Sequence, residues 1–249
     1  MSPLLKNLVI PAIISLALIL IYVIVFTKIY KDQSEEKKLI PIKVVFWIIV
    51  VLEIWKIFYL IGKDVGYYPN RYPIVFCSLI MFLYPMFCFK KNRFSDIAMG
   101  FSIIPSIIVY IAFIAVQWQY NMNLMNAHSF LYHGSMLAVA IYLITSKLYK
   151  FEFKKFYNLY LLMAMYVVGA GALSLFIGAD ISLFGPKVGY LQFIHKLSGF
   201  GVGLILLLIL LFIVFISVYG IIALCSKTKK KNKKAEQKEN EEKEVVENV

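Results

Sequence analysis

Residues 44 to 62 read VVFWIIVVLEIWKIFYLIG. Apart from Glu53, Lys56 and the closing Gly62, every residue in the stretch is apolar or aromatic. A helix needs roughly 20 such residues, rising 1.5 Å each, to cross the hydrocarbon core of a bilayer. The stretch therefore predicts a membrane span, and it carries two charges inside it. Six further runs of the same character flank it, giving expected spans at Leu8 to Thr27, Val44 to Gly62, Pro73 to Phe89, Ile97 to Val116, Ser129 to Thr145, Tyr157 to Ile177 and Phe200 to Leu224. The chain of 249 residues is 61% hydrophobic and only 16% charged, more apolar surface than a water-soluble globule hides in one core. The expected fold is an all-α integral membrane bundle of about seven transmembrane helices. The first run is too long for the apolar part of a signal peptide and lacks a small-residue cleavage site after it, so it is expected to remain attached.

Charge fixes the expected direction of the spans. Loops after spans one, three and five, together with the tail from Ser226, hold 20 of the 26 Lys and Arg residues, whereas the opposite segments hold five. Cytoplasmic loops collect such residues. The skew predicts an exterior N-terminus, a cytoplasmic C-terminus and a multi-pass protein of the plasma membrane. It also explains the net charge of +12 without invoking nucleic acid. Residues 1–225 read as a single transmembrane helical domain, and 226–249 as a disordered, Lys/Glu-rich cytoplasmic tail. Its lysines suit anionic lipid heads or serve only to fix topology. Protein partners are not legible. The three cysteines, Cys77, Cys88 and Cys225, lack metal-ligand spacing, as do His128, His133 and His195, so neither a metal nor a cofactor is expected.

Ionisable groups inside a span are costly and mark candidate sites. Glu53 and Lys56 are three apart and share a helix face, either as a structural ion pair or as a substrate-binding pair, with Lys56 on a lipid phosphate or Glu53 as a proton-relay carboxylate. Cys77 lies four residues after Pro73, and His133 four residues after Ser129, each entering from the outer side, so both are expected roughly 6 Å deep. A thiol with a histidine in reach can attack an ester and hold the acyl group as a thioester. Taken separately, each has a plainer role: cysteine as a small buried hydrophobe, histidine as an interhelical hydrogen-bond partner. Gly134 would let a neighbour approach closely, and Gly169 and Gly171 are expected to do the same in span six. The segment QWQYNMNLMNAH, residues 117 to 128, reads as an interfacial loop at headgroup level.

The order YPIVFCSL, then FLYHGSM two spans later, then GADISLFGPKVG resembles the YwaF family of bacterial multi-pass membrane proteins. That family is related to a eukaryotic phospholipid acyltransferase whose active pair is a cysteine and a histidine. The resemblance covers roughly residues 44 to 220. It implies that Cys77 carries the acyl group, that His133 is its general base, and that an acyl chain moves between phospholipids without coenzyme A. The sequence departs from the family pattern at Val75, where many members have histidine, and at Asp180, where they have asparagine. Asp180 and His195 are further candidates for supporting the site. Two readings of other classes stand beside it: a small-solute transporter or channel lined by Glu53 and Lys56, and a non-catalytic scaffold or sensor.

Overall fold

The structure, a computed structural model, describes residues 9–61, 76–89, 94–117, 123–177, 199, 201–221 and 224. Among these residues every regular element is an α-helix. They are α1 (Ile10–Tyr30), a short α2 (Glu35–Lys38), α3 (Ile40–Ile61), α4 (Phe76–Cys88), α5 (Ser95–Gln117), α6 (Leu124–Thr145), α7 (Phe153–Ile177) and α8 (Gly201–Ile221). Five helical segments are long and apolar enough to cross a membrane, and α4 and α5 contribute two shorter apolar stretches. The expected multi-span helical bundle is therefore what the chain forms. Expectations for Pro73, Val75, Asp180, His195, Cys225 and the tail fall outside the described residues.

Each span buries one stripe and turns the rest outward. In α1 the buried residues Pro11, Ser15, Ile19 and Val23 recur every four residues, while Ile13, Leu18, Ile21 and Ile24 are exposed. In water such exposure would be ruinous. In lipid it is the natural outer surface, because the helix already satisfies its own backbone groups. In α3 the inward stripe is Ile42, Val45, Phe46, Ile49, Glu53, Lys56 and Leu60, so the two charges face protein, and Trp47, Val51 and Phe58 face outward.

The helices pack around three adjoining cores. Ile42, Ile49, Ile80, Tyr84, Met136 and Tyr142 join α3, α4 and α6. Phe101, Phe156, Leu159, Phe215 and Tyr219 join α5, α7 and α8. Ile19, Val23, Tyr110 and Leu137 join α1, α5 and α6. At Gly134 α6 approaches α1 closely: an added Cβ there would lie 2.7 Å from Ser15 Oγ. Among the described residues Gly169, by contrast, has nothing within 4 Å of an added Cβ, so none of them makes there the close approach expected in span six. The loops after α1 and α6 and the start of α5 meet at one end, around a charged cavity of about 500 Å³ that includes Glu35, Lys43, Asp96, Lys147 and Glu152.

One boundary departs from expectation with a consequence for the site. The fifth span begins at Leu124, not Ser129, because the Asn123 side chain accepts a hydrogen bond from the Asn126 backbone N–H at 2.9 Å and caps the helix. Residues 124–128, expected in a loop, form its first turn. His133 is thus nine residues past the start, roughly 13 Å along the axis, and the equal-depth argument that linked it to Cys77 loses its basis.

Candidate active site

The site grows from α3. Glu53 and Lys56, one turn apart on the buried stripe, form an ion pair, with side chains 4% and 8% exposed. Ser78 of α4 donates to Glu53 Oε1 at 3.1 Å. Glu53 Oε2 is buried without a hydrogen-bond partner. Two charges removed from water cost several kcal/mol each, and mutual attraction offsets this only when the remaining lone pairs are also served. Ser78 serves one.

Cys77, on the residue before Ser78, is a free, half-buried thiol within electrostatic reach of Lys56 and Glu53. Ser78 also contacts it. From α6, Tyr132 is within electrostatic reach of Cys77 and Glu53. Tyr132 is almost fully buried, and its ring lies 5.7 Å from that of His133.

His133 is half-buried and stacked on Phe113 of α5 at 4.6 Å. Its Nδ1 lies 2.8 Å from the Ser129 carbonyl oxygen. A carbonyl only accepts, so Nδ1 carries the proton, and the neutral ring presents Nε2 as a lone-pair acceptor. That tautomer is the one a general base needs. Lys56 is within its electrostatic reach.

Of the four residues singled out in the sequence, Glu53 and Lys56 are joined directly, and Lys56 is within electrostatic reach of Cys77 and of His133, but the four are not one bonded chain. Among the described residues no hydrogen bond joins Cys77 to His133. The thiol is held against Ser78, and His133 Nδ1 is spent on its own helix.

Three participants escaped sequence reading. Ser78 sits beside Cys77 but acts through α3, a tertiary fact. Tyr132 looked like one aromatic among many. His128 belongs to the segment expected as a loop, and the Asn123 cap places it in α6 instead. In the structure it is buried, its Nε2 donates to the Leu52 carbonyl at 3.0 Å, and its ring stacks on Trp55 at 5.2 Å. By the same carbonyl argument its Nδ1, buried and unpartnered, is the acceptor nitrogen. The described residues contain no group of His, Cys, Asp and Glu able to hold a metal.

Comparison with known proteins gives one result. The family model of the TMEM164 family matches residues 4–219. No curated protein and no solved structure matches the chain. The match covers α1 to α7, all but the last two residues of α8 and all the residues of the site, and it carries the family without the narrower YwaF label that the motifs suggested. The chain belongs to the TMEM164 family.

Proposed function

We propose that this multi-pass membrane protein transfers an acyl chain between phospholipids through a thioester on Cys77, as the resemblance to YwaF proteins and their acyltransferase relative implies. The observation that carries the reading is a half-buried free thiol at Cys77 together with a His133 ring whose Nδ1 is spent on the Ser129 carbonyl, with Lys56 within electrostatic reach of each.

The donor phospholipid docks with its phosphate on Lys56, which Glu53 and Ser78 hold in place. His133 Nε2 takes the Cys77 proton, directly or through one water, as the thiolate attacks the ester carbonyl. The C–O bond breaks, the lysolipid oxygen receives that proton from His133, and the acyl group remains on sulfur. In the second half His133 removes the proton of an acceptor hydroxyl, whose oxygen attacks the thioester. The C–S bond breaks and the thiol is restored. Catalytic contacts commonly close only when substrate is bound, so the unbonded Cys77 and His133 fit this sequence of steps. No coenzyme is consumed.

With the basic loops cytoplasmic, Cys77 opens toward the outer leaflet of the plasma membrane, where acyl-coenzyme A is not available and a membrane lipid is the donor. The test is transfer in liposomes holding a labelled phospholipid and an unlabelled lysophospholipid. The label is expected to move to the acceptor, and Cys77→Ala and His133→Ala are each expected to stop it. Transfer that persists in Cys77→Ala would refute the reading. Impermeant thiol reagents applied to whole cells are expected to label Cys77, and labelling only after lysis would reverse the orientation.

A further inference from the structure

The charged cavity at the loop end of the bundle plays no part in the acyl chemistry. Cys88, in its wall, stands eleven residues after Cys77 on α4, so the two regions are roughly 16 Å apart along the helix axis. Its volume of about 500 Å³ is that of a small-ligand site. The buried Phe87 and Met99 give the lining an apolar part, and four lysines and four carboxylates complete it. One pair is already made: Lys155 Nζ lies 2.8 Å from Asp96 Oδ2. Lys43, Lys147 and Lys150, by contrast, have no carboxylate within ion-pair distance among the described residues.

Two of these cations are set in place. Lys43, one turn into α3 and half-buried, holds its ammonium 5.6 Å from the centre of the Phe89 ring, so it is partly stripped of water without being neutralised. Lys147 has a left-handed φ of 59° just past the end of α6, where glycine is the usual residue. Helix termination alone disfavours a side chain there, yet the lysine stands at the cavity wall. Such cations suit a phosphate, and the exposed Glu36 and Glu152 of the same lining suit an amine. A purely anionic ligand would meet carboxylates along with lysines, whereas one bearing both charges finds a counterpart for each. Phe89, 51% exposed, carries an apolar surface outward beside Lys43, toward lipid. We propose that the cavity binds the headgroup of a zwitterionic phospholipid from the leaflet at that end of the bundle, with the phosphate on Lys43 and Lys147 and the amine on Glu152. The acyl chains pass Phe89 into the bilayer. This lipid site lies at the opposite end of α4 from Cys77 and would hold if Cys77 were inert.

Native mass spectrometry of the full chain in detergent, titrated with dilauroyl phosphatidylethanolamine or with phosphatidylglycerol of the same chains, tests it. The first phosphatidylethanolamine is expected to bind several-fold more tightly than phosphatidylglycerol. Lys43→Gln and Lys147→Gly are each expected to weaken it about tenfold, the loss of one charge-assisted contact. Glycine suits the left-handed backbone at 147, so that variant loses the charge and keeps the fold. Glu152→Gln is expected to remove the preference for phosphatidylethanolamine without weakening phosphatidylglycerol. Soluble glycerophosphoethanolamine, which lacks the chains, is expected not to displace the lipid at equal concentration. Binding that neither lysine variant changes, phosphatidylglycerol bound as tightly as phosphatidylethanolamine, or displacement by the soluble headgroup at equal concentration would overturn the proposal.

Discussion

Replacing Lys56 by methionine keeps most of the side-chain volume and removes its charge, leaving Glu53 buried at 3% exposure with the Ser78 hydroxyl as its hydrogen-bond partner among the described residues. Breaking a buried ion pair by deleting one partner typically costs about 3–5 kcal/mol, because an uncompensated charge remains. For a chain of this size each kcal/mol lowers the midpoint by about 2–4 °C, so Lys56→Met is expected to unfold about 6–20 °C earlier. Removing both charges, as Glu53→Leu with Lys56→Met, exchanges the pair for apolar groups, which is often neutral. The double variant is therefore expected to be more stable than either single one. Thermal unfolding of the four proteins in one detergent, followed by circular dichroism and closed as a double-mutant cycle, reads this directly. Single variants that shift by less than about 0.5 kcal/mol, or a double variant whose loss is the sum of the singles, would refute the pairing as an energetic unit.

Other outcomes follow from local geometry. Gly134→Ala places a Cβ 2.7 Å from Ser15 Oγ and is expected to cost about 1–3 kcal/mol by overpacking the α1–α6 contact; Ser15→Gly should restore much of it, as the same unfolding assay would show. Asn123→Ala removes the cap of α6 and is expected to cost about 1 kcal/mol, with faster hydrogen exchange confined to the first turn at residues 124–127. Tyr149, in the loop after α6, has its hydroxyl held neutral by burial, well above the usual range for a phenol. The unfolded chain ionises it near the ordinary value of about 10, so its contribution is complete below that pH and is lost as pH rises further. Tyr149→Phe is therefore expected to flatten the alkaline fall in stability, and a slope unchanged from the parent would contradict this.

The spans were legible because lipid makes a uniform demand: about 20 apolar residues must occur together, and composition records that directly. Pairing of Glu53 with Lys56 was legible too, since three-residue spacing fixes a shared helix face without help from tertiary structure. Helix starts were less so. Span five was read from its apolar content and entered at Ser129, whereas a polar cap at Asn123 starts it more than a turn earlier and brings His128 inside the bundle. Span two likewise begins at Ile40, with Pro41 at the helix entrance where its missing N–H costs nothing. The hydrogen bond of Ser78 to Glu53 and the Trp55–His128 stack depend on how α3, α4 and α6 pack, which no single-helix periodicity encodes.

The central claim is that Cys77 becomes acylated. The most direct measurement is the intact mass of the purified protein after incubation with a phospholipid of defined acyl chains and no acceptor. The account predicts a mass increase equal to one acyl group, located on the peptide containing Cys77, removed by neutral hydroxylamine, and absent from Cys77→Ala and His133→Ala. An unmodified mass under these conditions, or an adduct that survives in Cys77→Ala, would contradict it.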